Sequence, residues 1–553
     1  MNAPLRSKPC LRALFGTLIA CAMALPLSSQ EAPATSTTVT STSRYAEPFR
    51  PQYHFTPEVN WMNDPNGLVY FDGEYHLFYQ HNPFGNKWGH MSWGHAVSPD
   101  LVHWEHLPIA IPEQGEIMAF SGSAVVDWKN ASGFGKGDTP PLVAIYTGHR
   151  ENPPAKQSQS QYLAYSNDRG RTWTPYSGNP VLDLGLEHFR DPKVSWYAPG
   201  GYWIMTAVLA AEHKVAFYRS ADLKSWKLLS HFGPVAATGG VWECPDLFPL
   251  PDPRNPGQEK WVLIVNLNPG GLQGGSGSQY FIGDFDGSTF AADKVDGSVP
   301  TRWTDYGRDF YAAVTWSDVP ETDGRRLCMG WMNNWEYAQE IPTSPWRSAQ
   351  SLVRELRLVP DAGDGVRLAQ RPIPEYSQLR GRPVALSAQP LPAGRLDLAP
   401  RGIRGNVLEL KLALDPQHAK ETGLVVAAGS DYETRIGYDT KRHVLFIDRT
   451  HSGPGFHDNF AGRHEAPLTL ADGRLTLHVF LDQSTVEVFA EDGTVAISDQ
   501  IFPPPGHNGV SLYSEGGDAR LFALQAWPLL SVWRNAPQLA PAASTSARQA
   551  TPP

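Results

Sequence analysis

Cysteine and charge are both scarce in this sequence. Of four cysteines, Cys10 and Cys21 lie in an N-terminal leader, so only Cys244 and Cys328 remain in the body of the chain. Two cysteines make no disulfide framework, and both are expected to be free. Charged residues are only 18% of the chain, the net charge is -10, and no basic run occurs. That disfavours nucleic acid and anionic membranes as partners and fits a neutral substrate better. Long apolar runs are missing too. The one stretch of note, Ala13 to Leu27, is too short and too interrupted for a membrane span.

Turn formers and aromatics are plentiful: 50 Gly, 49 Pro, 18 Trp, 20 Tyr and 23 Phe in 553 residues. With few long charged helical faces, this composition indicates an all-β chain of more than one domain. So many Trp residues suit sugar binding, because apolar sugar faces stack on aromatic rings, although most are expected in the core. Residues 1–28 form an export signal, with a basic start at Arg6, Lys8 and Arg12 and a cleavage point after Ala24. A second reading is lipid attachment at Cys21 in the lipobox-like run Leu18-Ile19-Ala20-Cys21. The expected location is therefore secreted or periplasmic, or an outer-membrane lipoprotein on the second reading. A Ser/Thr-rich linker is expected over 29–47 and a disordered Ala/Pro/Ser tail over 536–553.

Between these ends lie two bodies. The first, 48–360, repeats. Strongly β-like segments begin at Tyr75, Leu142, Tyr202, Trp261 and Arg326, spaced by 67, 60, 59 and 65 residues. A Ser-x-Asp turn leading to a Trp follows a strand three times: Ser98–Asp100 to Trp104, Ser166–Asp168 to Trp173, and Ser220–Asp222 to Trp226. A looser version runs from Gly283 to Gly287. In each, the Asp is expected to accept backbone hydrogen bonds across the turn while the Trp anchors it in the core. Five even repeats of several strands each predict a five-bladed β-propeller, where a β-sandwich requires no such spacing. The second body, 372–530, alternates apolar and polar residues, as in Asn406–Ala413 and Leu475–Leu481, and predicts a C-terminal β-sandwich. A short helix near Glu375–Arg380 is expected to bridge the two. The sandwich has no obvious catalytic cluster and is expected to cover a propeller face or to bind carbohydrate.

Three acids stand apart from ordinary surface charge. Asp64 lies in Trp61-Met-Asn-Asp-Pro-Asn-Gly67, Asp191 in Phe189-Arg-Asp-Pro192, and Glu243 in Trp242-Glu-Cys-Pro245. Their separations, 127 and 52 residues, are about two blades and then one. Each opens a short strand ahead of a repeat segment, so equivalent positions in blades one, three and four would converge on the central channel. The nearby Pro residues remove backbone donors and are expected to free each loop to present its acid.

These runs, with Gly330-Trp-Met-Asn-Asn-Trp335 and the sandwich segment Leu481–Gly493, resemble glycoside hydrolase family 32, which contains invertases, inulinases and levanases. The resemblance extends from about Tyr53 to Trp527 and implies a five-bladed propeller followed by a sandwich. It also implies a retaining mechanism: Asp64 as nucleophile, Glu243 as general acid and then base, and Asp191 as a transition-state stabiliser holding the fructosyl hydroxyls. It implies sugar contacts from Asn63, Gln80, Trp88, Phe120, Ser121, Arg190 and Trp335. Trp242, Cys244 and nearby acids are expected to raise the pKa of Glu243, and Arg190 to keep Asp191 ionised. This chemistry uses no metal or cofactor. His81, His90 and His95 cluster in sequence, but their spacing fits no standard metal site.

The run Glu340-Ile-Pro-Thr-Ser-Pro-Trp-Arg347 most resembles bacterial levanases and exo-inulinases, which implies exo-cleavage of fructans with sucrose as a minor substrate. Endo-cleavage and fructosyl transfer are the alternatives within the family. Ser166–Trp173 also resembles the Asp-box of sialidases, but the arginine cluster that a sialidase needs for its substrate carboxylate is not identifiable. An inverting arabinan hydrolase is a further propeller candidate. A non-catalytic fructan-binding propeller is disfavoured by the intact acids.

Overall fold

The computed structural model describes residues 44–151, 157–361 and 365–533. The expected export segment with Cys21, the linker up to 43 and the tail from 536 lie outside the described residues. No helix among the described residues is long and apolar enough to cross a membrane.

Five antiparallel sheets follow one another along the chain. Blade one comprises Asn60–Phe71, Glu74–Asn82, Ser92–Ser98 and Glu105–Ile111. Blade two comprises Ile117–Val126, Leu142–Arg150, Ser158–Ser166 and Thr174–Pro175, and blade three Phe189–Tyr197, Tyr202–Leu209, Lys214–Ser220 and Lys227–Phe232. Blade four comprises Val241–Pro251, Glu259–Asn268, Gly277–Phe285 and Phe290–Ala292, and blade five Tyr311–Thr315, Arg326–Met332, Arg354–Pro360 and Val366–Pro372. All five repeat segments read from the sequence fall in the second strand of their blade. The last strand carries the first body past the expected boundary at 360. First strands of neighbouring blades touch all the way round, including blade five against blade one. Ring closure is hydrogen-bonded: Tyr70 N–H donates to Ser317 O at 3.0 Å, and Ser317 N–H to Leu68 O at 2.8 Å.

The apolar cores sit between the blades. Leu142, Ala144 and Tyr146 pack with blade one, while the alternate residues Val143 and Ile145 pack with blade three. Ile264 and Val262 likewise face blade five, whereas Leu263 and Val265 face blade three. Successive strand residues point to opposite faces, so a sheet buried on both faces needs a continuous apolar run. That is why these second strands give the strongest β signals in the sequence.

The Ser-x-Asp turns form as expected at the carboxylate. Asp100 accepts N–H bonds from Val102 and His103, Asp168 from Thr172, and Asp222 from Lys224 and Ser225, all at 2.8–3.0 Å. The expected Trp anchors lie against the cores, and Trp173 and Trp226 donate their indole N–H to Gly170 O at 3.0 Å and Leu223 O at 2.9 Å within their own turns. Trp104, Trp173 and Trp226 are only half-buried at the edges of the cores. In blades one and three the fully buried turn residue is instead Leu101 or Leu223, directly after the Asp and at positive φ.

A 3-10 helix, Pro374–Leu379, bridges to the sandwich near the expected place. One sandwich sheet is built around Val407–Asp415, Leu475–Asp482, Thr485–Ala490 and Ala519–Pro528, the other around Glu421–Ala428, Thr434–Asp439, Val444–Asp448 and Gly509–Glu515. A buried ionic network joins it to the propeller. The Asp482 carboxylate accepts the backbone N–H groups of Gln52, Tyr53 and His54. Glu487 accepts Leu352 N–H at 2.7 Å and pairs with both His54 and Arg354. Arg354 also binds Asp305, and Arg449 binds Asp309.

Candidate active site

The first strand of every blade is broken at the same place. Two residues oppose one across the register: Asn63-Asp64 opposite Gln80, Phe120-Ser121 opposite Thr147, Asp191-Pro192 opposite Ala207, Cys244-Pro245 opposite Val265, and Ala312-Ala313 opposite Gly330. A β-bulge twists its strand and re-aims a side chain, here five times around one channel. The acids therefore sit within strands, at bulges, and not on freed loops. Nor are they strictly equivalent. Asp191 is the first bulge residue of its blade, Asp64 the second, and Glu243 the residue before the bulge. Asp191, Cys244 and Ala312 share the first bulge position and all have positive φ, between 43° and 61°.

These offsets bring the acids together. Asp64 and Asp191 are 8% and 5% exposed, and the Glu243 side chain is 21% exposed. Ser121 Oγ donates to Asp64 Oδ2 at 2.7 Å, and Asn63 Nδ2 to Asp64 Oδ1 at 3.0 Å. The Cys244 thiol lies between the aspartates, 3.5 Å from Asp64 Oδ2 and 3.7 Å from Asp191 Oδ2. Cys244 N–H donates to Asp191 Oδ2 at 3.0 Å, and Asp191 N–H to Thr147 Oγ1 at 2.9 Å. Arg190 donates to Glu243 Oε1 through Nη2 at 3.0 Å and Nε at 3.2 Å. Its Nε lies 3.8 Å from Asp191 Oδ2, so one guanidinium spans two acids.

Burial dominates the electrostatics. It pushes the Asp64 carboxyl above its ordinary value; Glu243 adds to the rise, and the Ser121 and Asn63 bonds oppose it. Burial also pushes Asp191 up to about 7, against the pull of Arg190 and with help from Glu243 and Asp64. The expectation that Arg190 keeps Asp191 ionised is thus corrected: its hydrogen bonds go to Glu243, and desolvation outweighs its charge. Burial and the flanking acids place the Cys244 thiol well above its usual range, so it is a protonated donor there. Trp242 does not wall Glu243. It is buried between blades three and four and donates to Ala237 O.

The remaining expected contact residues line up around this shell. Gln80 Nε2 donates to Ala119 O at 3.0 Å, and Phe120 stacks on His149 with centroids 4.3 Å apart. Trp88 meets Phe120 edge-on at 6.0 Å. Trp335 lies 5.8 Å from Trp61, whose indole N–H donates to Asn63 Oδ1 at 2.7 Å. Both Trp88 and Trp335 are only partly buried. The three histidines do not meet: His81 binds Trp61 O, His90 faces Glu113 at the surface, and His95 pairs with His76.

Two participants escaped the sequence reading. Tyr311, on the fifth blade, donates its hydroxyl to Glu243 Oε2. Gln159 Oε1 accepts from Arg190 Nη1 at 3.2 Å. Tyr311 precedes its bulge just as Glu243 precedes its own, and this shared position is the signal that finds it.

A propeller channel with two buried aspartates and a partly exposed glutamate in one shell, backed by a sandwich, is the architecture of a carboxylate-based glycoside hydrolase. The profile described as "Glycosyl hydrolases family 32 N-terminal domain" matches residues 54–372, and "Glycosyl hydrolases family 32 C terminal" matches 375–528. A levanase of Bacillus subtilis is 49% identical over 514 residues, covering 91% of this chain and 74% of that protein. An extracellular exo-inulinase of Aspergillus awamori is 41% identical over 529 residues, covering 90% and 97%. A crystal structure of exo-inulinase from that fungus superposes with a TM-score of 0.82 at 39% identity, covering 88% of this chain and all of the other. The chain belongs to glycoside hydrolase family 32.

Proposed function

We propose that this enzyme removes terminal β-D-fructofuranosyl units from fructans, with sucrose as a lesser substrate, by double displacement. The observation that carries the reading is the meeting of Asp64, Asp191 and Glu243 in one buried shell, in a chain whose relatives are named levanase and exo-inulinase.

The Asp64 carboxylate attacks the anomeric carbon while the bond to the leaving oxygen breaks and Glu243 gives that oxygen its proton. Water then attacks the same carbon, Glu243 takes the water proton, and Asp64 leaves. The geometry supports this division of roles. Asp64 is pinned by two donors, as a nucleophile needing one orientation would be. Glu243 is the most open of the three, so a leaving group and a water can both reach it. Asp191 is the least exposed and keeps an oxygen for fructosyl hydroxyls. Because burial raises Asp191 to about 7, those hydroxyls would favour its carboxylate on binding.

Timed digestion of levan, inulin and sucrose tests the reading. Free fructose from the first sample is expected. Early oligosaccharides mean endo-cleavage, and fructosylated acceptors mean transfer. Asp64→Ala is expected to fold normally and lose hydrolysis by on the order of 10⁴-fold.

A further inference from the structure

A second aromatic site lies at the far end of the blades. Blades one and two run from the catalytic shell to the opposite propeller face: five residues of extended strand, roughly 17 Å, separate Ser121 from Val126. Beyond Val126 stands Trp128, a large aromatic that is 61% exposed. It borders a cavity of about 570 Å³ lined by Phe71, Asp72, Asp138, Thr139, Asn167 and Arg169 among others.

The Trp128 ring is held, not loose. Its indole N–H donates at 2.8 Å to Oδ1 of Asp318, whose other oxygen accepts Val126 N–H at 3.0 Å. Phe71 supports the ring edge-on at 5.9 Å. With its polar atom engaged inward, the ring offers solvent an apolar face fixed in orientation. An indole face held in one orientation and left open to solvent can stack against the apolar face of a sugar ring.

Around the ring the polar groups are mixed. Arg169 is tied to Asp72 at 3.1 Å. The exposed Asp138 carboxylate has no side-chain partner among the described residues. Asp72, Asp138 and Asp168 against the single Arg169 disfavour an anion, while carboxylate, hydroxyl and guanidinium beside an apolar ring suit a neutral polyol.

We infer that the Trp128 cavity is a non-catalytic binding site for the fructan polymer, with one sugar ring stacked on Trp128 and its hydroxyls bound by Asp138. The identity of the polymer rests on the fructan-hydrolase reading; the site itself is separate from the catalytic shell. A polymer held there is kept at high local concentration near the channel, while a disaccharide too short to reach both sites gains nothing.

The test is native electrophoresis through gels containing levan or inulin, in an Asp64→Ala background so that the polymer survives. The parent is expected to be retarded by one of the polymers, and Trp128→Ala and Asp138→Ala to lose most of that retardation. With Asp64 intact, both variants should keep sucrose turnover and show KM for the polymer raised about five- to tenfold. Trp128→Ala also strips a donor from buried Asp318. Asp138→Ala leaves that bond in place and decides the matter if the Trp variant fails to fold. Retardation unchanged in the folded variants, or absent from the parent, overturns the site. Hydrolysis of fructan by the wild type without such retardation sinks this inference alone, whereas absence of fructan hydrolysis sinks the functional reading beneath it.

Discussion

Tyr311 and Ser121 each hold one carboxyl of the proposed mechanism, Glu243 and Asp64, and their effects should separate. Tyr311 donates to Glu243 Oε2, so Tyr311→Phe removes a bond that orients this carboxyl, worth about 0.5–1.5 kcal/mol. Steady-state kinetics should show kcat down about 2- to 10-fold with KM little changed. Ser121 donates to Asp64 and favours its ionised form. On the proposed mechanism Asp64 must be ionised to attack, and burial already raises its pKa, so the acid limb of kcat/KM should lie above the ordinary aspartate value of 3.8. In Ser121→Ala that limb should move to still higher pH. A limb that stays put or moves down would show that Asp64 does not set it.

The bulged first strands turn a regular ring of sheets into a site. Gly122 follows the bulge that carries Ser121, and it has no room for a side chain: an added Cβ would lie 2.1 Å from Ile145 O and 2.6 Å from Tyr146 Cα. Gly122→Ala must shift this backbone, and the cost is expected at about 1–3 kcal/mol. Because Ser121 moves with it, activity should fall more than stability does. Paired thermal melts and turnover rates check this; equal losses, or full activity, would contradict the link between bulge and site. The sequence motifs carry no sign of these bulges beyond the Pro residues beside Asp64, Asp191 and Cys244. Pro explains why pairing fails there, but the number of opposed residues depends on the partner strand.

Propeller and sandwich are fused by buried charge as well as by apolar packing. Burial alone would raise Glu487, but Arg354 and His54 overcome it and bring its pKa to about 2. Burial alone would lower His54, but Asp482 and Glu487 raise it to about 9. The signs follow from linkage. The Glu487 contribution is complete above its ordinary 4.5 and is lost as pH falls toward 2. The His54 contribution is complete below 6.5 and is lost as pH rises through about 9. Calorimetry should therefore find Tm highest between about pH 4.5 and 6.5 and falling on both sides. Glu487→Gln takes from Arg354 and His54 one of their two buried carboxylates, leaving Asp305 and Asp482, and should cost about 3 kcal/mol.

Much of this was written locally. The second strands alternate between two apolar cores, so Leu142–Thr147 and its counterparts had to be continuously hydrophobic, and their spacing counted five blades. The runs around Asp64, Asp191 and Glu243 named the acids because short motifs survive without knowledge of their neighbours. Contacts across the ring were not legible in this way. Tyr311 reaches Glu243 from another blade, Cys244 sits between two aspartates brought from blades one and three, and Arg190 bonds to Glu243 more closely than to the adjacent Asp191. Burial depth is likewise a property of the closed ring, and it overrode the neighbouring charge at Asp191. The chain alone thus determined which chemistry-bearing residues are present and roughly which end of each blade they occupy. Ring closure and bulge register decided which atoms meet and where their protons reside, because those depend on distances between segments far apart in sequence.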